Sequence, residues 1–158
     1  MAQTILVIGS FMLLSILTAS VNNAIINKTV DSYQTEAVIS ATTRAQALMQ
    51  EVMAKEFDQN TVSGAVDTTI KLTAVSKMGK ETGEVYPSFN DLDDFKYYTK
   101  TDSGFKSTVD VQYLNPATLT ASKMDTSTVQ TYYKRITVTV FDPKEMLFPV
   151  QLVNIISY

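Results

Sequence analysis

The sequence predicts an α+β fold in which a long N-terminal α-helix packs, through its second half, on an antiparallel β-sheet of about four strands. Three observations lead to this prediction. The chain begins with a charge-free apolar segment, a helical period continues to about residue 57, and a two-residue period follows Gly64. A chain of 158 residues can bury roughly two thirds of its unfolded surface, so one globular core is expected.

The first 27 residues form the charge-free apolar segment. They contain no Asp, Glu, Lys or Arg, and the first charged side chain is Lys28. As a helix, residues 5–26 span about 33 Å, which is close to the hydrocarbon thickness of a bilayer. The hydroxyl residues inside this segment can return their hydrogen bonds to the helix backbone. The segment can therefore cross a membrane.

Three interpretations of this segment compete. A secretory signal peptide needs a basic flank, and no Lys or Arg precedes the apolar residues, although Thr18-Ala19-Ser20 offers a poor cleavage site. A permanent membrane anchor is the second interpretation. The third is a helix that starts in the membrane and later packs against copies of itself. A basic leader removed before Met1 would supply the charge that normally orients such a segment.

The helical pattern does not stop at Lys28. No proline precedes Pro87, and no glycine lies between Gly9 and Gly64. Apolar or small residues recur at steps of mostly three and four, as on one buried helical face; they are Val30, Tyr33, Ala37, Ala41, Ala45, Leu48, Val52 and Phe57. The sequence predicts a helix from about Gln3 to Phe57, weakest at residues 20–23. Residues 1–27 would protrude, and residues 28–158 would form a globular head.

Four segments after Gly64 are predicted to be strands. Apolar and polar residues alternate at residues 66–74, 108–113 and 135–140, with β-branched side chains at the apolar positions. Residues 148–158 are apolar on both faces. Such a strand suits the middle of a sheet, or a strand that faces a neighbouring subunit.

Composition excludes several function classes. The chain has no histidine, cysteine or tryptophan, so thiol catalysis, Ser-His dyads, disulfides and zinc sites built on Cys or His are excluded. A pI near 4.9 and 13 basic residues argue against a nucleic-acid surface, which needs clustered Lys and Arg. We expect a protein that is not an enzyme, has no cofactor and binds no nucleic acid.

One acidic segment is a weak candidate for calcium. Asp91, Asp93 and Asp94 fall within four residues, and hard cations collect oxygen ligands from loops. The spacing does not match an EF-hand loop. A solvated acidic loop without a bound metal is therefore the favoured interpretation of this segment.

Three short segments, together with the architecture, carry a resemblance to a known family. Residues 45–58 (AQALMQEVMAKEFD) look like the end of the long helix in prepilin-like proteins, residues 91–95 (DLDDF) like an acidic-aromatic element after it, and residues 134–140 (KRITVTV) like a late core strand. The chain thus resembles the type IV pilin superfamily of pili, secretion pseudopilins and archaeal filaments. The bacterial pattern has a glutamate at the fifth mature position, where this chain has Ile5.

The resemblance implies a structural subunit of an extracellular, cell-surface filament. Its partners would be many copies of itself, the inner or cytoplasmic membrane before assembly, and the pilus assembly machinery. Subunit contacts are expected through the large apolar side chains of the N-terminal helix, namely Ile5, Leu6, Ile8, Phe11, Met12, Leu13, Leu14, Ile16, Leu17, Val21, Ile25 and Ile26. The alternatives are a minor pilin or secretion-system pseudopilin, or a monomeric membrane-anchored binding module with a β-sheet head.

Overall fold

One helix, α1, runs from Ala2 to Met53 in the computed structural model, which describes residues 2–120 and 124–158. Its 52 residues span about 78 Å. The helix is continuous through residues 20–23, so the expected weak point is not unwound. It ends four residues before the predicted Phe57, because the Lys55 N–H shifts to the Val52 carbonyl and Glu56 forms a backbone bridge to Asp91.

The head contains a four-stranded antiparallel sheet in which neighbours in sequence are neighbours in space, in the order β1-β2-β3-β4. The strands are β1 (Tyr98–Asp102), β2 (Phe105–Tyr113), β3 (Tyr133–Phe141) and β4 (Val150–Ser157). In the register, Val109 faces Val138, which in turn faces Leu152. The predicted α+β fold is confirmed, and so are the strands predicted within residues 108–113, 135–140 and 148–158.

The core lies between one face of this sheet and the second half of α1. Alternate β-branched residues of β2 and β3 point inward and are almost fully buried; they are Val109, Val111, Ile136, Val138 and Val140. The helix meets them with a stripe that begins at Ala37 and continues through Ala41, Ala45, Met49 and Val52. Val30 and Tyr33 were predicted to belong to this stripe but are exposed, because they lie beyond the end of the sheet.

The prediction of a strand at residues 66–74 is wrong. This segment contains a short 3-10 turn at Thr69–Lys71, and another follows at Val75–Lys77. The backbone N–H of Thr73 donates to the carboxylate of Asp58 at 3.0 Å, where a strand would use it for a neighbouring strand. The alternation reflects a loop that buries Leu72 on the core and leaves Ile70 86% exposed.

The position of β4 differs from the expectation that the last strand lies in the middle of the sheet. β4 lies at the edge of the sheet and contacts only β3 among the strands, so it is not the middle strand that its apolar content suggested. Its inner face is half-buried against α1, whereas Val153 and Ile155 point outward and stay partly exposed. β1, on the opposite edge, was not predicted; its five residues are mostly exposed and carry no apolar alternation.

Candidate functional site

The N-terminal part of α1 is an apolar surface on which no described residue of the head packs. The twelve side chains expected in subunit contacts are between 51% and 71% exposed, from Ile26 to Leu13. The described head does not cover them, since the first buried helix residue is Ala37. These residues therefore lie on the exposed part of α1, and their contacts with other chains stay a prediction.

The first turns of this segment have no polar face. Four consecutive residues, Ile5 to Ile8, are all large and apolar, and at 100° per residue they cover the full circumference of the helix. A helix that packs on its own head needs one apolar stripe, whereas a helix that is apolar all round needs apolar surroundings on every side. A membrane or a bundle of helices provides such surroundings.

The hydroxyl groups in the segment do not interrupt its apolar character. Ser10, Ser15 and Thr18 each donate a hydrogen bond of 2.8 Å to the carbonyl four residues earlier. This satisfies their donors within the helix. By length and composition α1 is the one helix in the described chain that could span a membrane, which is consistent with membrane insertion or with a signal sequence.

A polar spacer separates the apolar segment from the head. Residues 27–36 include the charged Lys28, Asp31 and Glu36, and their side chains are exposed except for the half-buried Gln34. Ten helical residues correspond to about 15 Å. If the apolar segment lies in a bilayer, the spacer therefore holds the sheet clear of the lipid surface.

A buried ionic cluster fixes the segment that directly follows α1 to the sheet. Lys134 on β3 is fully buried, and its ammonium group donates to the Phe57 carbonyl at 2.7 Å, to Asp58 Oδ2 at 2.9 Å and to Asp93 Oδ1 at 2.8 Å. The Tyr113 hydroxyl donates to the same Asp58 oxygen at 2.7 Å. One lysine thus joins the segment after α1, the acidic segment and the sheet.

The two carboxylates that face Lys134 differ in their electrostatics. Burial alone would raise the pKa of Asp58, but the Lys134 charge and hydrogen bonds from Tyr113 and Lys134 outweigh it and hold that pKa at about 2. Burial raises the pKa of Asp93 to about 6 despite the charge of Lys134 beside it. Asp58 is therefore ionised across the neutral pH range, whereas Asp93 takes up a proton as the pH falls through about 6.

The acidic segment is buried, so its interpretation as a solvated loop is wrong. Asp91, Asp93 and Asp94 are at most 2% exposed. Asp91 Oδ1 accepts the backbone N–H of Asp93 at 2.6 Å, and Asp93 is bound to Lys134. Within the described residues the three side chains do not gather around a common point; only Asp94 joins a group of carboxylates, together with Glu81 and Glu84.

The three segments that carry the pilin resemblance meet at Lys134. Asp58 closes the first segment, Asp93 lies in the second, and Lys134 opens the third. Comparisons with protein-family models, curated proteins and solved structures gave no match. The resemblance therefore rests on these short segments and on the architecture.

Proposed function

We propose that this protein is a structural subunit of an extracellular, pilus-like helical filament, which it builds by packing its apolar N-terminal helix against the helices of identical subunits. Before assembly the same segment would hold the subunit in a membrane. The observation that carries this proposal is the helix of residues 5–26, which is free of charged side chains, is apolar on all sides at Ile5 to Ile8, and is not covered by the described head.

The energetics of this segment require an apolar environment. Moving one large apolar side chain from water into such an environment is favourable by about 1.5–3 kcal/mol, so a dozen of them amount to some tens of kcal/mol. A segment of this kind leaves lipid only for another apolar medium. The interior of a bundle of identical helices is such a medium, and there close packing between helices replaces contacts with lipid chains.

The link between helix and head supports a filament in preference to a loosely tethered module. Repeated head-to-tail contacts produce a regular polymer only if each subunit presents its surfaces in a fixed relation. α1 is one continuous helix from the apolar segment to the core, its second half is buried against the sheet, and the Lys134 cluster fixes the segment that follows it. A flexible linker, which a tethered binding module would use to search for partners, is not found between residues 2 and 53.

The proposal is tested by assembly of the purified chain. The protein, extracted in detergent, should form fibres of uniform width in negative-stain electron microscopy when the detergent is dialysed away. Leu13→Lys places a charge in the centre of the apolar segment and should abolish the fibres. Ser32→Lys adds the same charge to the exposed spacer of the same helix and should leave them intact.

Two results would contradict the proposal. Wild-type chains that stay monomeric and insert into added liposomes without forming fibres would favour the membrane-anchored binding module. Fibres that persist in Leu13→Lys would show that residues 5–26 are not the polymer core.

A further inference from the structure

A second group of carboxylates lies in the loops beside the acidic segment. Glu81 and Glu84 begin and end a tight turn, in which the Glu84 N–H donates to the Glu81 carbonyl at 3.1 Å. Asp94 lies in the short 3-10 turn Asp93–Phe95. One carboxylate oxygen from each of the three residues lies within 4.8 Å of the other two. Ten or more positions of sequence separate the turn from Asp94, so the fold creates this group.

Buried oxygens in this group have no hydrogen-bond donor. Asp94 is 2% exposed; its Oδ2 accepts the backbone N–H of Asn90 at 2.9 Å, but its Oδ1 has no partner in the described part of the chain. Glu81 Oε2 and Asn90 Oδ1 are also buried atoms without a hydrogen-bond partner among the described residues. Leaving a buried acceptor unsatisfied is costly, and more so for a charged group. These oxygens lack a positive or proton-donating partner.

No basic side chain supplies that partner within residues 2–120 and 124–158. The ion pairs found there join Arg44 to Asp102, Lys71 to Asp67, and Lys134 to Asp58 and Asp93. Burial raises the pKa of Glu81, and hydrogen bonds to Glu84 and Asp94 raise it further. Three carboxylate groups this close together, without a basic partner among the described residues, hold either a shared proton or a cation.

We propose that Glu81, Glu84 and Asp94, with the side-chain oxygen of Asn90, form a calcium-binding site. Ca²⁺ takes several oxygen ligands at about 2.3–2.6 Å, so opposite ligands are about 5 Å apart, and the separations in this group fit within that limit. Mg²⁺ demands a tighter octahedral arrangement and sheds its water reluctantly. The set of three carboxylates and one amide oxygen, carried by two turns, suits Ca²⁺ better.

Bound calcium would tie the turn at residues 81–84 to the acidic segment. Asp93, which directly precedes Asp94 in the sequence, binds Lys134. The cation would therefore stabilise the same region of the head that holds the end of α1. This inference goes beyond the proposed function and does not depend on it, because it concerns only the head.

The test measures Ca²⁺ binding to the full chain in detergent after treatment with a chelator. Isothermal titration calorimetry at pH 7.5 should show one site with a dissociation constant at or below about 1 mM, in the range of extracellular calcium modules. Glu84→Gln should weaken binding at least tenfold. Glu145→Gln removes an exposed carboxylate elsewhere on the head and should change the affinity less than twofold.

Glu84 is the preferred position because it is only half-buried, and Gln keeps both its size and an oxygen that can accept the backbone N–H of Glu81, whereas Asp94 is almost fully buried. Circular dichroism checks that Glu84→Gln is folded. As a second measurement, tyrosine-sensitised emission of Tb³⁺ should appear with wild type and Glu145→Gln and be lost with Glu84→Gln.

The proposal is overturned if the wild type shows neither binding heat nor Tb³⁺ emission, since the carboxylates then share a proton. It is also overturned if folded Glu84→Gln binds Ca²⁺ as tightly as Glu145→Gln. Because both measurements use dispersed chains in detergent, they are independent of whether the protein forms filaments.

Discussion

Lys134 uses all three donors of its ammonium group inside the core, on Phe57, Asp58 and Asp93. Its Nζ atom also lies 4.5 Å from the ring centroid of Phe57 and 4.7 Å from that of Tyr113. A buried charge is tolerated when every donor and acceptor around it is satisfied, and becomes very unfavourable when one partner is removed. The stability of the head should therefore be sensitive to this one side chain.

We expect Lys134→Met to lower the free energy of unfolding by about 3–5 kcal/mol, because it leaves Asp58 and Asp93 buried without their cation. Lys71→Met is the matched control: its ion pair with Asp67 is exposed to solvent, so its loss should leave the free energy of unfolding almost unchanged. Urea denaturation of the full chain in detergent, followed by near-UV circular dichroism, measures both. Equal losses in the two variants would contradict a special role for Lys134.

Asp91 gives the head a characteristic pH dependence. Burial, with the charges of Asp93 and Asp94 beside it, raises the pKa of Asp91 from 3.8 to about 7. Between these values the folded state binds more protons than the unfolded state, so the free energy of unfolding falls as the pH rises. We expect Asp91→Asn to reduce this fall by about 2 kcal/mol between pH 5 and 7.

The measurement is a series of urea denaturations at pH 5, 6 and 7 in the presence of a chelator. Asp31→Asn, at an exposed position on the spacer, should leave the slope unchanged. A slope that is identical in wild type and Asp91→Asn would show that Asp91 is ionised in the folded protein throughout this range.

These residue-scale features were not predictable from the sequence. Asp58 was assigned only to the end of the helix, and the acidic segment was assigned to solvent because isolated carboxylates are usually exposed. Lys134 lies 76 positions after Asp58 and 41 after Asp93, so its pairing depends on the tertiary fold. The useful signal was Lys134 itself, a charged residue that occupies the same alternate positions of β3 as the apolar Ile136 and Val138.

At the scale of elements, periodicity succeeded where an element buries one face and failed where it does not. α1, β2 and β3 each present a regular apolar face to the core, and the sequence predicted all three. β1 is an exposed edge strand without such a face and was missed. Residues 66–74 show the alternating pattern of a strand. The backbone N–H and the hydroxyl of Thr73 donate to the Asp58 carboxylate, so this N–H is not available for hydrogen bonds to a neighbouring strand.

The helix itself divides into three zones with different surroundings. In detergent, residues 5–26 are covered by apolar chains and residues 37–52 by the sheet, whereas the spacer at 27–36 is exposed to water. Isolated helices of about ten residues are marginal in water. We therefore expect the amides of the spacer to exchange with deuterium faster than those of either flank.

Hydrogen-exchange mass spectrometry of the detergent-solubilised chain measures this difference, and peptides from residues 37–52 provide the internal reference. Protection of the spacer equal to that of residues 37–52 would show that something other than intrinsic helix stability holds it, such as contacts with a second chain.

At the scale of the whole molecule, the sequence predicted the division into a protruding apolar helix and a sheet-bearing head, because charge and period both change along the chain. It did not reveal where the head begins. The apolar stripe of the helix begins at Val30 in the sequence. The first residue of the stripe that is buried is Ala37, because the sheet does not extend along the helix as far as Val30.

The unbroken course of α1 has a geometric consequence for the direction in which the head points. Because each helical residue turns the chain by about 100°, deleting one spacer residue would swing the sheet by more than a quarter of a revolution around the axis while lowering it by only about 1.5 Å. Removing seven residues would return the sheet to within about 20° of its original orientation about the helix axis, and would bring it some 10 Å closer to the apolar segment. The number of spacer residues thus sets the rotation of the head about the helix axis as well as its distance from the apolar segment.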